Sequence, residues 1–388
     1  MTDAAATPPA ESGVRVSTLE LFFDLVFVFT ITQLTETLAE HVTLATLAEV
    51  LLMLFVIWWM YSGYAWLTNA VAPNSSTRRT LLLAGMAGFL VMALAVPEAF
   101  GEYGWLFGVS YLVVNLVHSA LFLLAGPGAR KAMRQLAPLN ILAALLVLAG
   151  GLLPEPYRHL CWIAAPLVQI AAGYVHNLEM HSIMAGHFVE RHGLVMIVAI
   201  GESIVAIGLG FRGYELGGGT ILVAVLGLCI AYYLWWIYFA GDNDRAEHVL
   251  ARTTDPRRRA RLALEGWGYA HYVMLLGVVV LAVGIKKTVG HAFEPLHWGE
   301  AIALGGGVAI YQLGHAAFLR LLGIGGWLHR VVAALVVLAT IPLGHVLAVA
   351  QLAAIPLIMA AAAIIEDLPG VKRTGSTAIS DFGRTSGS

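Results

Sequence analysis

The sequence predicts an all-α, polytopic membrane protein with about twelve transmembrane helices. Of its 388 residues, 59% are hydrophobic and only 12% are charged, whereas soluble domains are about one quarter charged. The mean hydropathy is +0.80. Apolar runs of roughly 20 residues, the length that crosses a bilayer as a helix, recur from residue 18 to residue 366. These runs leave no room between them for a soluble domain of ordinary size.

The individual helices are predicted from the apolar runs and from the polar stretches that separate them. Almost nothing polar separates the last two runs, so Pro342 and Pro356 could instead kink one long element. The predicted helices are 18–38, 44–70, 80–100, 104–125, 133–153, 157–176, 190–211, 219–240, 262–288, 298–320, 328–347 and 349–366.

The distribution of lysine and arginine predicts how these helices are oriented, because cytoplasmic loops carry an excess of both residues. If the N terminus is inside, eighteen of the 22 basic residues fall in inner segments. We therefore expect both termini to be cytoplasmic and the number of spans to be even. The four basic residues that this assignment places outside are Arg158, Arg212, Lys286 and Lys287.

Both ends of the chain are predicted to be polar segments outside the membrane. Residues 1–17 lack the apolar core of a signal peptide, and residues 369–388 have the composition of a disordered cytoplasmic tail. Cys161 and Cys229 lie in apolar segments, so neither a disulfide framework nor a thiolate metal site is expected. The net charge of −2, without a basic stripe, argues against a nucleic-acid partner.

Weak internal similarity suggests two tandem six-helix halves. WWMY at 58–61 returns as WWIY at 235–238. Since six is an even number, the halves would have the same orientation and be related by an axis along the membrane normal. The alternative is that the two motifs match without a repeat, because aromatic residues recur at every membrane interface. Glu20 aligns with Glu190 and His118 with His315, and the predicted segments are a first half at 18–178, a His-rich junction at 179–189 and a second half at 190–368.

Glu202 is the clearest candidate for chemistry. It lies near the centre of the predicted seventh helix, where Ser203 is the only other polar residue nearby. An ionisable group in the bilayer costs about 2.5–3.5 kcal/mol on insertion scales, so its position is a functional candidate. A carboxyl in apolar surroundings favours its neutral form, which suits a proton carrier. The alternative is a neutral structural acid that is hydrogen-bonded to a neighbouring helix.

Glu20 and Asp24 are two further acids in an apolar run, ELFFDLVFVF. They are four residues apart and so share one face of the first helix. Because like charges at this spacing repel, either one carboxyl is protonated or a cation lies beside them. Arg15, or an arginine of another cytoplasmic loop, could serve as this cation. The alternative for Glu20 is interfacial anchoring.

The predicted junction collects histidine and glutamate side chains, which are metal-ligand types. His187, Glu190 and His192 do not have the spacing of an HExxH helix, so they are weak metal candidates. A proton antenna or a purely structural junction is favoured, because histidine titrates near physiological pH. No cofactor is predicted.

Three other side chains are candidates for a polar path. His118 and His315 lie deeper in their helices and would face each other if the repeat holds; the alternative is that each is a satisfied core histidine. Glu265, near the start of the ninth helix, either lines a polar path or pairs with Arg261 four residues earlier.

Three segments together resemble the bacterial low temperature requirement protein A (LtrA) family. They are LELFFDLVFVFTITQLT (19–35), HFVERHGLVMIVAIGESIVAIG (187–208) and YYLWWIYF (232–239). The resemblance implies a polytopic inner-membrane protein and marks Glu20, Asp24, Glu190 and Glu202 as the motif acids. Ala240 stands where the family often has an acid, a role that Asp242 could take. The resemblance implies no mechanism, substrate or cofactor.

These features favour a proton- or cation-linked secondary transporter of a small solute in the bacterial inner membrane. Walker, dinucleotide-binding, GxSxG and HExxH motifs are absent from the sequence. One alternative is an intramembrane enzyme acting on a lipid or isoprenoid, and another is a non-catalytic membrane-stress factor. The expected partners are the bilayer and an unidentified small molecule or ion, and the oligomeric state is left open.

Overall fold

The computed structural model describes residues 16–70, 75–175, 183–211, 217–289 and 291–367. These residues form helices and the connections between them, with no strand in the described ranges. The α-helices are α1 Thr18–Glu40, α2 Leu44–Ala70, α3 Ser76–Ala95, α4 Gly104–Leu123, α5 Pro127–Leu152, α6 Tyr157–Val175, α7 Ala185–Gly210, α8 Gly218–Phe239, α9 Asp242–Arg252, α10 Pro256–Leu262, α11 His271–Thr288, α12 Trp298–Leu322, α13 Trp327–Leu338, α14 Ile341–Val346 and α15 Ala348–Asp367.

The chain is a polytopic α-helical membrane protein. Within the described residues, eleven helical segments are long and apolar enough to cross a membrane. The sixth predicted span is also helical, as α6, but Arg158, His159 and Gln169 make it more polar than the eleven. The twelve-span count and the orientation of the spans remain predictions.

The last two predicted spans are separate helices and not one kinked element. The chain leaves helical geometry at Leu347, whose φ and ψ are −159° and 116°. Arg330, at the start of α13, contacts Glu366, at the end of α15, with Nη1 2.8 Å from Oε2. The chain therefore turns back on itself between these helices. Pro356 lies inside α15 without ending it.

Helix α7 begins at Ala185, five residues before the predicted start at 190. Asn69, at the end of α2, clamps the residue before α7 through both amide atoms: Met184 N donates to Asn69 Oδ1 at 3.0 Å, and Asn69 Nδ2 donates to Met184 O at 3.0 Å. The last five residues of the predicted junction are consequently helical. Residues 179–182 of the junction, which include His181, lie outside the described residues, as does His176 before it.

Helices α1 and α7 pack side by side and run in the same direction. Glu20 contacts His187, Asp24 contacts Arg191, and Thr32 contacts Glu202, so residue numbers rise together along both helices. Helix α11 packs against both of them and against α12. The faces that α1 and α7 turn toward each other and toward α11 are therefore buried, whereas Phe22 of α1 and Ile204 of α7 are exposed.

Helices α11 and α12 approach each other through glycines. A Cβ added at Gly277 would lie 2.5 Å from Tyr311 N and 2.8 Å from Gly307 O. Such distances leave no space for a side chain at Gly277. Small residues are the usual means by which membrane helices pack closely. This contact helps to form the central core, which contains Leu281, Leu304 and their neighbours.

A π-helical segment, Ala263–Ala270, joins α10 to α11 and was not predicted from the sequence. The wider π turn leaves its carbonyl groups accessible to side chains. Trp58 Nε1 donates to Gly268 O at 2.7 Å, and His271 Nδ1 donates to Gly266 O at 2.9 Å. The segment is therefore anchored to α2 by a hydrogen bond.

Substitution Gly277→Ala should destabilise the protein although alanine is the better helix former. The added methyl group has to displace the backbone of α12, and overpacking of this kind costs about 1–3 kcal/mol. The matched control is Gly208→Ala on α7, where no atom lies within 4 Å of an added Cβ. Thermal midpoints of the detergent-purified variants test this, and equal midpoints would contradict the close packing.

Candidate functional site

Asp24 and Arg191 form a buried ion pair between α1 and α7. Arg191 Nη1 lies 3.1 Å from Asp24 Oδ1 and donates to Oδ2 at 3.2 Å. The Tyr61 hydroxyl of α2 donates to Asp24 Oδ1 at 2.5 Å and accepts from Arg191 Nη2 at 3.3 Å. Asp24 and Arg191 are 2% and 1% exposed. Their opposite charges compensate each other where solvent does not reach.

Glu20 lies one helical turn from Asp24 and has its own partners. Its Oε2 accepts from Ser17 N at 2.8 Å and from Ser17 Oγ at 2.7 Å, as part of a capping box at the start of α1. Its Oε1 lies 3.2 Å from His187 Nε2. Asn69 Nδ2 lies 3.4 Å from His187 Nδ1 and can only donate to it. The contact of Glu20 with His187 does not have hydrogen-bond geometry, since Glu20 Oε1 has no hydrogen-bond partner among the described residues.

We call Glu20, Asp24, Tyr61, His187 and Arg191 the inner centre, after the side that the charge distribution predicts. The repulsion expected between the two carboxyls is relieved because Asp24 pairs with the Arg191 guanidinium of α7, while Glu20 accepts hydrogen bonds from Ser17. The cation is Arg191, which is buried inside a helix and not in a loop; Arg15 lies outside the described residues.

Glu202 and Thr32 form a second contact between α1 and α7. Thr32 Oγ1 lies 2.6 Å from Glu202 Oε2 and 3.3 Å from the carbonyl oxygen of Val28. The threonine hydroxyl can donate to an ionised Glu202. Alternatively, it can donate to Val28 O and accept from a protonated Glu202. The same geometry thus fits both protonation states of this carboxyl.

The surroundings of Glu202 hold further polar atoms without partners. Glu202 is 1% exposed, and its Oε1 has no hydrogen-bond partner among the described residues. The hydroxyls of Thr35 and Ser203 are also buried and unpaired within the described part of the chain. One turn beyond Thr32, Glu36 pairs with Lys286 of α11. We call Thr32, Glu36, Glu202 and Lys286 the outer centre.

A polar cleft of about 570 Å³ adjoins the outer centre at Lys286. Its lining carries both signs of charge, with Lys287 beside Lys286 and with Glu40 and Glu300. We call this the outer cleft; its other lining residues are Ala39, Leu209, Gly210, Val289, His291, Glu294, Pro295, Leu296 and His297.

An apolar layer separates the two centres. Asp24 and Thr32 are eight residues apart on α1, which is about 12 Å along a helix. Phe27 and Ile31 of α1 are buried in this interval, and so is Met196 of α7. Asp24 and Glu202 are therefore not within hydrogen-bonding reach of each other. Glu202 was expected near the centre of its helix; it is the eighteenth of the 26 residues of α7, because this helix begins earlier than predicted.

The other candidate side chains lie away from the two centres. Glu190 is exposed on α7, although its aligned counterpart Glu20 is buried. Glu265 Oε1 accepts from Arg261 Nε at 2.8 Å. His192 Nδ1 donates to Phe188 O at 2.8 Å, so this nitrogen is used in a hydrogen bond within α7. In the described ranges, no three His, Cys, Asp or Glu side chains are grouped to hold a metal ion.

His118 and His315 are buried on α4 and α12 and share no partner. The His118 ring packs against Tyr64 and Phe122. The His315 ring packs against Tyr238 and Phe318, and its Nε2 lies 3.6 Å from Asp242 Oδ2.

A buried charge cluster at the start of α9 was not predicted as such. Asp242 is 3% exposed at the start of α9, where it pairs with Arg245. Arg330 Nη2 lies 3.5 Å from Asp242 Oδ2, and the same guanidinium binds Glu366. The sequence signal for this cluster was Asp242 itself, as the acid that follows the WWIY motif. Arg330, inside the predicted helix 328–347, was counted only among the basic residues of the cytoplasmic side.

The profile of the bacterial low temperature requirement A protein (LtrA) family matches residues 15–364. The chain belongs to the LtrA family. A protein of Rhizobium meliloti (strain 1021), named as the uncharacterized protein RA0937, is 29% identical over 313 residues, which cover 77% of this chain and 76% of that protein.

The first two LtrA-like segments are the two sides of the α1–α7 contact. Segment 19–35 contributes Glu20, Asp24 and Thr32, and segment 187–208 contributes His187, Arg191 and Glu202. Sequence reasoning found the acids of this contact but missed Arg191, Tyr61 and Thr32. The only signal for them was their position within the same segments or in the WWMY motif.

Substitution Arg191→Met should strongly destabilise this LtrA protein, because Asp24 would be left buried without a cation. Breaking one side of a buried pair costs about 3–5 kcal/mol. The double variant Asp24→Asn/Arg191→Met should recover part of this loss. Arg134→Met, at an exposed position on α5, is the control. Thermal midpoints measure all three, and an Arg191→Met midpoint equal to that of the control would rule out the compensating role.

Proposed function

We propose that this LtrA family member is a proton- or cation-linked secondary transporter of a small solute in the bacterial inner membrane. The observation that carries the proposal is the contact of Glu202 with Thr32, whose geometry accommodates the carboxyl in either protonation state. A group that must take up and release a proton within the membrane needs such a partner. Glu202 is accordingly assigned as the proton carrier.

The outer cleft supplies an entrance on the predicted outer side. A cleft of about 570 Å³ falls in the range of small-molecule sites, roughly 300–1,000 Å³. Lys286 both lines the cleft and pairs with Glu36, which lies one turn from Thr32 on α1. Solute and proton would therefore meet at adjacent positions.

The inner centre supplies a switch on the predicted cytoplasmic side. Asp24 is held by Arg191 and Tyr61 together, so a proton on Asp24 would weaken both contacts at once. A proton that binds one state more tightly than another shifts the population of the two states. The apolar layer around Phe27 would keep the two centres from being hydrated at the same time.

The parallel packing of α1 and α7 supports the arrangement in two halves. If the predicted division holds, these are the first helices of the two halves, and they meet at the centre of the molecule. Halves of equal orientation that rock against each other around a shared central site are a common transporter design. We infer that the α1–α7 contact is that site.

Purified protein in liposomes with an internal pH dye tests the proposal. A panel of small solutes added outside should contain at least one that changes the internal pH, and Glu202→Gln should abolish this response because the amide cannot ionise. Glu190→Gln, on the exposed face of the same helix, should leave it intact. No response to any solute, or an unchanged response in Glu202→Gln, would refute the assignment of Glu202 as carrier.

A second comparison isolates the Thr32 hydroxyl. Thr32→Val keeps the shape of the side chain but removes the hydrogen bond to Glu202, which is worth about 1–2 kcal/mol; this corresponds to roughly a tenfold slower pH response. Thr32→Ser keeps the hydroxyl and should retain most of the rate. Equal rates in the two variants would show that the hydroxyl takes no part in proton transfer.

A further inference from the structure

A second cavity, of about 90 Å³, lies between α2, α4, α5, α6 and the π-helical segment. It shares no residue with the inner or the outer centre. We call it the aromatic pocket. Its principal side chains are Trp58, Trp59, Trp66, His118, Asn140 and Tyr269.

His118 is a buried polar side chain in this lining without a partner. It is 3% exposed, its Nε2 lies against Gly63 of α2, where an added Cβ would be 3.1 Å away, and neither ring nitrogen makes a hydrogen bond of normal geometry in the described part of the chain. A buried polar group left unpaired costs about 1–3 kcal/mol. The Tyr269 hydroxyl is likewise buried and unpaired among the described residues. A ligand that hydrogen-bonds to these atoms would remove this cost.

Asn140 is oriented to donate into the pocket. Its Oδ1 accepts from Trp59 Nε1 at 3.1 Å, which fixes the orientation of the amide and leaves its N–H groups for another acceptor. Together with the N–H of the His118 ring and the Tyr269 hydroxyl, the pocket offers donors that suit carbonyl or ether oxygens.

The remaining lining excludes a charged ligand and favours a flat one. None of the described residues that line the pocket is Asp, Glu, Lys or Arg, so nothing there would neutralise a phosphate, a carboxylate or an ammonium group. Indole and phenol rings dominate the walls, and such rings stack favourably on other planar rings.

The size and depth of the pocket indicate that the ligand extends into the bilayer. A cavity that holds benzene measures about 150 Å³, so 90 Å³ encloses only part of a substituted ring. His118 is five residues from the end of α4, and Trp59 is eleven residues from the end of α2. These intervals correspond to about 8 and 17 Å along a helix, which is within the depth of the hydrocarbon layer.

We infer that the aromatic pocket binds an uncharged, membrane-soluble ligand that combines a planar ring bearing hydrogen-bond-accepting oxygens with an apolar tail, the chemical class of the quinones. The oxygen-bearing edge of the ring lies among the indoles, its oxygen accepts from Asn140 and His118, and the rest of the ring and the tail leave along the open side of the pocket. This site does not depend on the transport proposed above.

Quenching of tryptophan fluorescence by decylubiquinone, with the full chain in phosphatidylcholine nanodiscs, tests this inference. Quenching should be saturable in the wild type. In Gly173→Leu it should require at least tenfold more quinone, because an added Cβ lies 3.0 Å from Leu264 Cδ2 and 3.2 Å from the Tyr269 hydroxyl and so projects into the pocket. Ala171→Leu, exposed on the same helix, adds similar bulk outside the pocket and should bind as the wild type does.

His118→Phe keeps the ring shape but removes the donor, and it tests the same inference without added bulk. It should also weaken binding about tenfold, which corresponds to the loss of one hydrogen bond. Non-saturable quenching in the wild type, or wild-type affinity in both Gly173→Leu and His118→Phe, would overturn the site. Displacement of the quinone by decanol at equal concentration would overturn recognition of the ring.

Discussion

The ion pair of Asp24 and Arg191 constrains the centre of this protein. Two opposite charges that are 2% and 1% exposed cannot be separated without leaving one of them uncompensated in an apolar interior. This requirement holds α1 beside α7 in one register. The contact of Glu20 with His187 and that of Glu202 with Thr32 then follow along the same pair of helices. Every buried acid of the α1–α7 pair is therefore placed by one long-range contact.

Around this pair, polar side chains are satisfied by helices that are distant in the chain. Tyr61 of α2 completes the inner centre, Lys286 of α11 contributes to the outer centre, and Asn69 sets the start of α7. Close glycine contacts bring α11 against α12, and α11 packs in turn against both α1 and α7. The membrane interior thus contains two polar centres with a layer of apolar side chains between them.

The sequence predicts which segments are helical, because hydropathy alone selects runs long enough to span a bilayer. It also identifies the acids at depth, since a carboxyl in an apolar run is conspicuous. The partners of these acids are not predictable in the same way. Arg191 stood at the second position of the predicted seventh helix, because the earlier start of α7 depends on the contact of Met184 with Asn69, 115 positions away from it. The π segment has the composition of an ordinary helix, so only its contacts reveal it.

The Asp24–Arg191 pair also bears on how the protein is made. The two residues are 167 positions apart, and a chain emerging from the ribosome delivers the acid to the bilayer long before the base. During that interval Asp24 has to stay neutral or remain near the headgroups. Insertion of α7 then supplies the missing charge and draws α1 into its final position. Helix α1 consequently reaches its final position only after α7 has been synthesised.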